Sequence, residues 1–157
     1  MTAPSLSEAK SGLEQTLDKE TLSQVLKSAT RHEEIERKFV VSNPPENLEL
    51  YEKEEIEQHY LPVKGDSEVR IRSADGKYYI TEKSGAGIKR DEIEAEILKD
   101  TFESLKSKAL SSLRKTRYII PASKGKKIEI NVHKEQLNGL NVVEVEFESL
   151  KEAYALK

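Results

Sequence analysis

The stretch EEIERKFVV, residues 33–41, decides how the rest of the chain is read. Glu34, Glu36 and Lys38 occupy every second position, with Ile35, Arg37, Phe39 and Val41 between them. A β-strand sends alternate side chains to opposite faces. As a strand, this segment gathers two carboxylates and an ammonium on one face and a mostly apolar set on the other. The remaining strands decide which face looks inward.

The two-residue period continues through segments 54–61, 67–73, 77–83, 90–98, 113–120, 126–133 and 141–148. Arg70 and Arg72 share a face, as do Tyr79, Thr81 and Lys83; Arg90, Glu92, Glu94 and Glu96; Lys115 and Arg117; Glu129, Asn131 and His133; and Glu144, Glu146 and Glu148. The opposite faces carry Val69 and Ile71, Ile93 and Ala95, Ile128 and Ile130, Val143 and Val145. DGK at 75–77, SGAG at 84–87 and NG at 138–139 are hairpin turn signals. Leu13, Leu17, Leu22, Val25, Leu26 and Ala29 fall near helical spacing, so residues 1–31 read as a helical extension and 32–157 as the domain proper. Leu98, Phe102, Leu105, Ala109 and Leu113 form a second helical stripe, and the tail SLKEAYALK reads as a third. Segment 51–57, YEKEEIE, reads as a solvated connector.

A single charged strand face usually meets water. Solvated faces mix Thr, Ser, Gln and Lys, however, whereas these carry almost only Glu, Arg and Lys. About eight strands close into a small barrel. The expected fold is therefore α+β: an eight-stranded antiparallel barrel with a charged interior and helices covering its apolar outside. An outer-membrane barrel would need lipid-facing bands about ten residues long and a secretion signal, and the sequence shows neither.

Composition fits a soluble domain. Hydrophobic residues make up 36% of the chain and charged residues 35%, and the net charge of −3 gives no global field for nucleic acid or an anionic membrane. The absence of cysteine excludes disulfides, zinc thiolates and thiol nucleophiles. No apolar run reaches membrane-spanning length, so the expected compartment is the cytoplasm. His32, His59 and His133 form no metal-binding spacing and read as ordinary polar residues.

Cations that line a lumen need an anion able to meet many at once. Carboxylate pairs need a hard cation such as Mg²⁺ or Mn²⁺. A linear polyphosphate with bound divalent metal satisfies both walls, and the sequence has neither a Walker loop nor a kinase Gly-rich loop.

These motifs resemble the CYTH domain, the triphosphate tunnel metalloenzyme family. Glu34-Ile35-Glu36-Arg37-Lys38 is similar to its N-terminal ExExK motif. QHYL (58–61), VRIR (69–72), ITEK (80–83), RDEIE (90–94), KTRY (115–118), EINV (129–132) and VEVEFES (143–149) follow in the family's order. The resemblance covers residues 33 to about 155. It implies metal-binding roles for Glu34, Glu36, Glu144 and Glu146, with Glu92, Glu94, Glu129 and Asn131 supporting metal or water. It implies triphosphate binding by Lys38, Arg70, Arg72, Lys83, Arg90, Lys115 and Arg117, and a catalytic role for Tyr60 as proton acceptor.

Two departures stand out. Relatives usually carry Asp where this chain has Asn131, and they continue into a WxGxEVT…YxNxxL segment that this sequence lacks. The resemblance implies hydrolysis of inorganic tripolyphosphate with Mg²⁺ or Mn²⁺, in a monomer or homodimer. Class IV adenylate cyclase, thiamine triphosphatase and a non-catalytic polyphosphate- or nucleotide-binding module are the alternatives.

Overall fold

The alternation of charged and apolar residues produces eight strands: β1 (Thr30–Val41), β2 (Glu52–Leu61), β3 (Glu68–Ala74), β4 (Lys77–Ser84), β5 (Lys89–Ile97), β6 (Ser111–Pro121), β7 (Lys127–His133) and β8 (Asn141–Glu146). The computed structural model describes residues 12–122 and 126–156. The strands form one closed antiparallel barrel in the order β1-β5-β4-β3-β2-β6-β7-β8. Asp75 and Gly76 both take positive φ (51° and 78°), the two-residue geometry that turns β3 tightly into β4.

β1 is shared between two partners. Thr30 to Ile35 pair with β5 and Glu36 to Val41 pair with β8. The backbone N–H of Glu36 donates to Ile88 O at 2.8 Å, and that of Phe147 donates to Ile35 O at 2.8 Å, on either side of the switch. The seam of the barrel therefore runs between Ile35 and Glu36.

The apolar faces point outward and the helices cover them. α1 (Leu13–Thr16), α2 (Lys19–Ser28) and α3 (Lys99–Lys106) lie against β2 to β5. Leu13, Leu22, Val25, Phe102 and Leu105 pack there with Val69, Ile71, Ile80 and Ile93, all buried. Asp18 caps α2 by accepting from the Thr21 N–H at 2.7 Å. α4 (Leu150–Ala155) closes a second cluster of Val145, Phe147 and Ala153, and Arg37, outward on β1, donates to the carbonyls of Ala153 and Leu156.

The extension is fastened by one buried acid on the outer face. Glu82 is 2% exposed and accepts from the Leu13 N–H at 2.6 Å. Gly12 leaves room for this contact: a Cβ there would lie 2.1 Å from Glu82 Oε1 and 2.8 Å from Val69 Cγ2.

Two expectations are corrected. Tyr51–Glu57 is not a connector: from Glu52 onward it is strand, paired with β6, where Glu55 accepts from Thr116 Oγ1 and Lys134 Nζ at 2.9 Å. The stripe from Leu98 to Leu113 is helical only over Lys99–Lys106. Leu110 already donates its N–H to Tyr60 O, so the sheet edge captures the backbone there and Leu113 lies in β6. The part of the extension before residue 12 lies outside the described residues.

Candidate active site

With the apolar faces outside, the alternating charged residues turn into the lumen. Lateral register sets their neighbours: Glu34 beside Arg90, Glu36 beside Glu146, Lys38 beside Glu144, Lys83 between Glu68 and Glu92, Tyr60 beside Arg70, and Glu129 beside Glu144. The structure thus brings the expected residues onto one inner surface. Lys38 stands exposed at a mouth, while Glu36, Lys83, Glu92, Lys115, Arg117, Glu129 and Asn131 are all under 9% exposed.

The acidic wall shares too few protons and cations among its members. Lys83 Nζ donates to Glu34 at 2.9 Å and lies 3.7 Å from Glu92 Oε2. Burial favours protonation of Glu34, but Lys83 and hydrogen bonds from Glu36 and Glu92 override it and hold the carboxyl at about 2. Glu36 goes the other way: burial first, then Glu144 and Glu34, push it up to about 10. Glu144 is buried too, yet the Glu36 proton, Lys115 and Arg117 hold it at about 2. One proton is therefore shared along Glu34, Glu36 and Glu144 at neutral pH. Burial and the Glu34 charge raise Glu92 to about 7.

The basic wall mirrors this strain. Burial and the neighbouring Arg117 depress Lys115 to about 7. Arg117 Nε donates to Asn131 Oδ1 at 3.0 Å, and its Nη1 lies 3.6 Å from Glu129. Asn131 in turn donates to Glu144 at 3.0 Å. Arg72 lies over the Tyr79 ring at 4.7 Å and 3.8 Å from Glu94, which also accepts from Thr81.

Several lumen residues escaped the sequence reading. Gln58, 1% exposed, faces inward beside Arg72 and donates to the Tyr60 hydroxyl. Glu54 lies in register with Arg117. His32, read as an ordinary polar residue, places Nε2 3.3 Å from Glu92. Assigning faces within segment 54–61, already read as a strand, and carrying the alternation of β1 back to residue 32 would have found all three.

A divalent cation suits this donor set. Glu36 Oε1 is buried with no hydrogen-bond partner, and the acidic wall carries more carboxylates than its lysine neutralises. Among the described residues no three His, Asp or Glu groups form a ready-made metal cage. That fits an ion such as Mg²⁺, which takes one or two carboxylates and completes its shell with water and phosphate oxygens.

Comparison with known proteins gives the same picture. A family model for the CYTH domain matches residues 32–156. The chain is 38% identical over 124 residues to an inorganic triphosphatase of Nitrosomonas europaea, covering 78% of this chain and 81% of that one. The crystal structure of an inorganic triphosphatase superposes with a TM-score of 0.55 at 32% identity, over 79% of each chain. A protein of Pyrococcus horikoshii OT3, 22% identical, shares the fold with a TM-score of 0.64, over 78% of this chain and 84% of that one.

Proposed function

Because the chain belongs to the CYTH domain family, we propose that it is a metal-dependent triphosphatase, cleaving inorganic tripolyphosphate to diphosphate and phosphate. One observation carries this reading: a closed barrel whose lumen sets cations on β3 and β6, Lys115 and Arg117 buried among them, against proton-sharing carboxylates on β1 and β8. A linear polyanion bearing a hard cation neutralises both walls at once, and it needs no pocket for a base. The 38% identity to an inorganic triphosphatase supports the same substrate.

Lys38, Arg70, Arg72, Lys83, Arg90, Lys115 and Arg117 would bind the phosphate chain and stabilise the charge that spreads over the transferred phosphoryl oxygens. Glu34, Glu36, Glu144 and Glu146 would hold Mg²⁺ or Mn²⁺, which when bound polarises the phosphoryl oxygens and acidifies a water. Glu92 and Glu94, on the neighbouring strand, would orient that water. Glu129 and Asn131 fix Arg117 at the boundary of the two walls. Tyr60, in register with Arg70 on β3, would complete the catalytic set.

A triphosphate is the only partner this reading requires, in a monomer or homodimer acting in the cytoplasm. No helix among the described residues is long and apolar enough to cross a membrane.

Phosphate release from tripolyphosphate, ATP and thiamine triphosphate, each with Mg²⁺ and with Mn²⁺, is the test. Tripolyphosphate should turn over fastest. Glu36→Gln should reduce its kcat on the order of a hundredfold, and Lys38→Ala should raise KM. Equal rates in wild type and Glu36→Gln would remove the proposed site.

A further inference from the structure

Gln58 is one of the least exposed polar side chains in the molecule, at 1%, and it carries no ion pair. A buried carboxamide is costly unless its groups are paired. Its Nε2 donates to the Tyr60 hydroxyl oxygen at 2.6 Å, while its Oε1 has no partner. The two residues stand two apart on β2, on the same lumen-facing side, so the contact needs no distant element to form it. Arg72 neighbours Gln58 on β3 and Arg70 neighbours Tyr60. On the other side Leu113 neighbours Gln58.

We infer that Gln58 is a positioning residue for Tyr60: its amide holds the phenol oxygen from one side, so that the phenol's own hydrogen points into the lumen beside Arg70 as a donor to a phosphoryl oxygen. The inference rests on the triphosphatase reading above. A phenol ring turns about two bonds, and without an anchor its hydroxyl samples several directions at an entropic cost on binding. The N–H of Gln58 occupies one lone pair of the phenol oxygen. That oxygen keeps its hydrogen to give away, and the guanidinium of Arg70 draws an anionic acceptor to that spot. The arrangement makes Tyr60 a hydrogen-bond donor where the family resemblance implies a proton acceptor.

The experiment compares wild type with Gln58→Leu, Gln58→Glu, Tyr60→Phe and the Gln58→Leu/Tyr60→Phe double variant, on tripolyphosphate with Mg²⁺. Gln58→Leu should lower kcat on the order of tenfold with KM little changed, the pattern of a contact used in the transition state. In the Tyr60→Phe background the same substitution should have no further effect. Gln58→Glu should be as slow as Tyr60→Phe, because a carboxylate only accepts and would take the phenol hydrogen for itself.

Metal-free binding gives a second readout. With tyrosine labelled at Cζ, the Tyr60 signal should move on adding tripolyphosphate to wild type and stay put in Gln58→Leu. If leucine prevents folding, Gln58→Met, closer in length, replaces it. Additive losses in the double variant, or a wild-type rate in Gln58→Glu, would overturn the positioning role. A wild type that hydrolyses no triphosphate would instead refute the functional reading, and the labelled signal would still decide whether Gln58 aims Tyr60.

Discussion

The carboxamide of Asn131 donates to Glu144 across the β7–β8 pair at 3.0 Å, while its oxygen accepts from Arg117. One neutral residue thus joins the basic wall to the acidic wall. An aspartate there could accept from Arg117 but could not donate to Glu144. Asn131→Asp should therefore lower the metal-free melting temperature, by an amount equivalent to about 1–3 kcal/mol. The added charge should also enlarge the stabilisation by Mg²⁺ and lower its half-saturating concentration. Thermal melts with and without metal test both. An unchanged metal-free melt together with an unchanged titration would place Asn131 outside this junction.

Metal binding should release a proton. Burial and two neighbouring carboxylates hold Glu36 near 10, so at pH 7 it is protonated, and a cation must displace that proton. Apparent affinity should rise with pH by up to about tenfold per unit above neutrality. Calorimetric titration in buffers of different ionisation enthalpy counts the protons, and Glu36→Gln should abolish the release.

Metal-free stability should peak near about pH 5. Below that, Glu34 and Glu144, both held at about 2, bind fewer protons folded than unfolded, so stability is lost as pH falls. Above it, Glu36 at about 10 and Glu92 at about 7 keep protons that the unfolded chain has released, so stability falls as pH rises toward 7. His133, depressed by burial, opposes this as a single group. Beyond pH 7, Lys115 at about 7 regains stability while Glu36 still loses it. A melting temperature that climbs steadily from pH 4 to 7 would contradict the assignment.

Lys115 should cost stability and give binding. Burial and Arg117 depress it, so its charge is disfavoured in the empty lumen. Lys115→Met should raise the ligand-free melting temperature. It should also shrink the stabilisation by tripolyphosphate, about 2.7 kcal/mol in wild type at a hundredfold excess over Kd. A destabilised methionine variant with unchanged ligand response would refute this.

Gly12→Ala should loosen the N-terminal helices without touching the lumen. Its Cβ would meet Glu82 and Val69 well inside contact distance, which costs about 1–3 kcal/mol by overpacking. The melting temperature should fall while KM for tripolyphosphate stays constant, as a melt and an activity assay on one preparation will show.

Much of this was legible because a strand has a two-residue period. Glu34, Glu36 and Lys38 could be assigned to one face from the sequence alone, and the pure charge of each such face pointed inward. The start of β2 was only partly legible: 54–61 read as a strand, but Glu52, Lys53, Glu54 and Glu55 put charges on both faces, and 51–57 also read as a solvated connector. Its partners on β6 lie more than fifty residues away. Gln58 was overlooked for another reason: the alternation of 54–61 puts it on the same face as Tyr60, but an uncharged amide does not stand out in a reading that follows charge. The switch of β1 between β5 and β8 depends entirely on long-range pairing and left no local mark.

That seam has a consequence for how the protein is made. Glu34 finds its neighbour on β5, but Glu36 and Lys38 find theirs only on β8, more than a hundred residues later. Pairing so distant in sequence forms late, because loop closure must precede any gain from contact. During synthesis the second half of β1 stays unpartnered until residues 141–146 have emerged from the ribosome. A chain halted before that point would already carry the cations of β3, β4 and β6 but not the carboxylates of β8 that face them. It would be a half-built polyanion trap, carrying Glu34 and Glu36 on β1 but lacking Glu144 and Glu146, the other half of the proposed metal-holding set. Among the eight barrel strands, β1 completes the site only when β8 arrives.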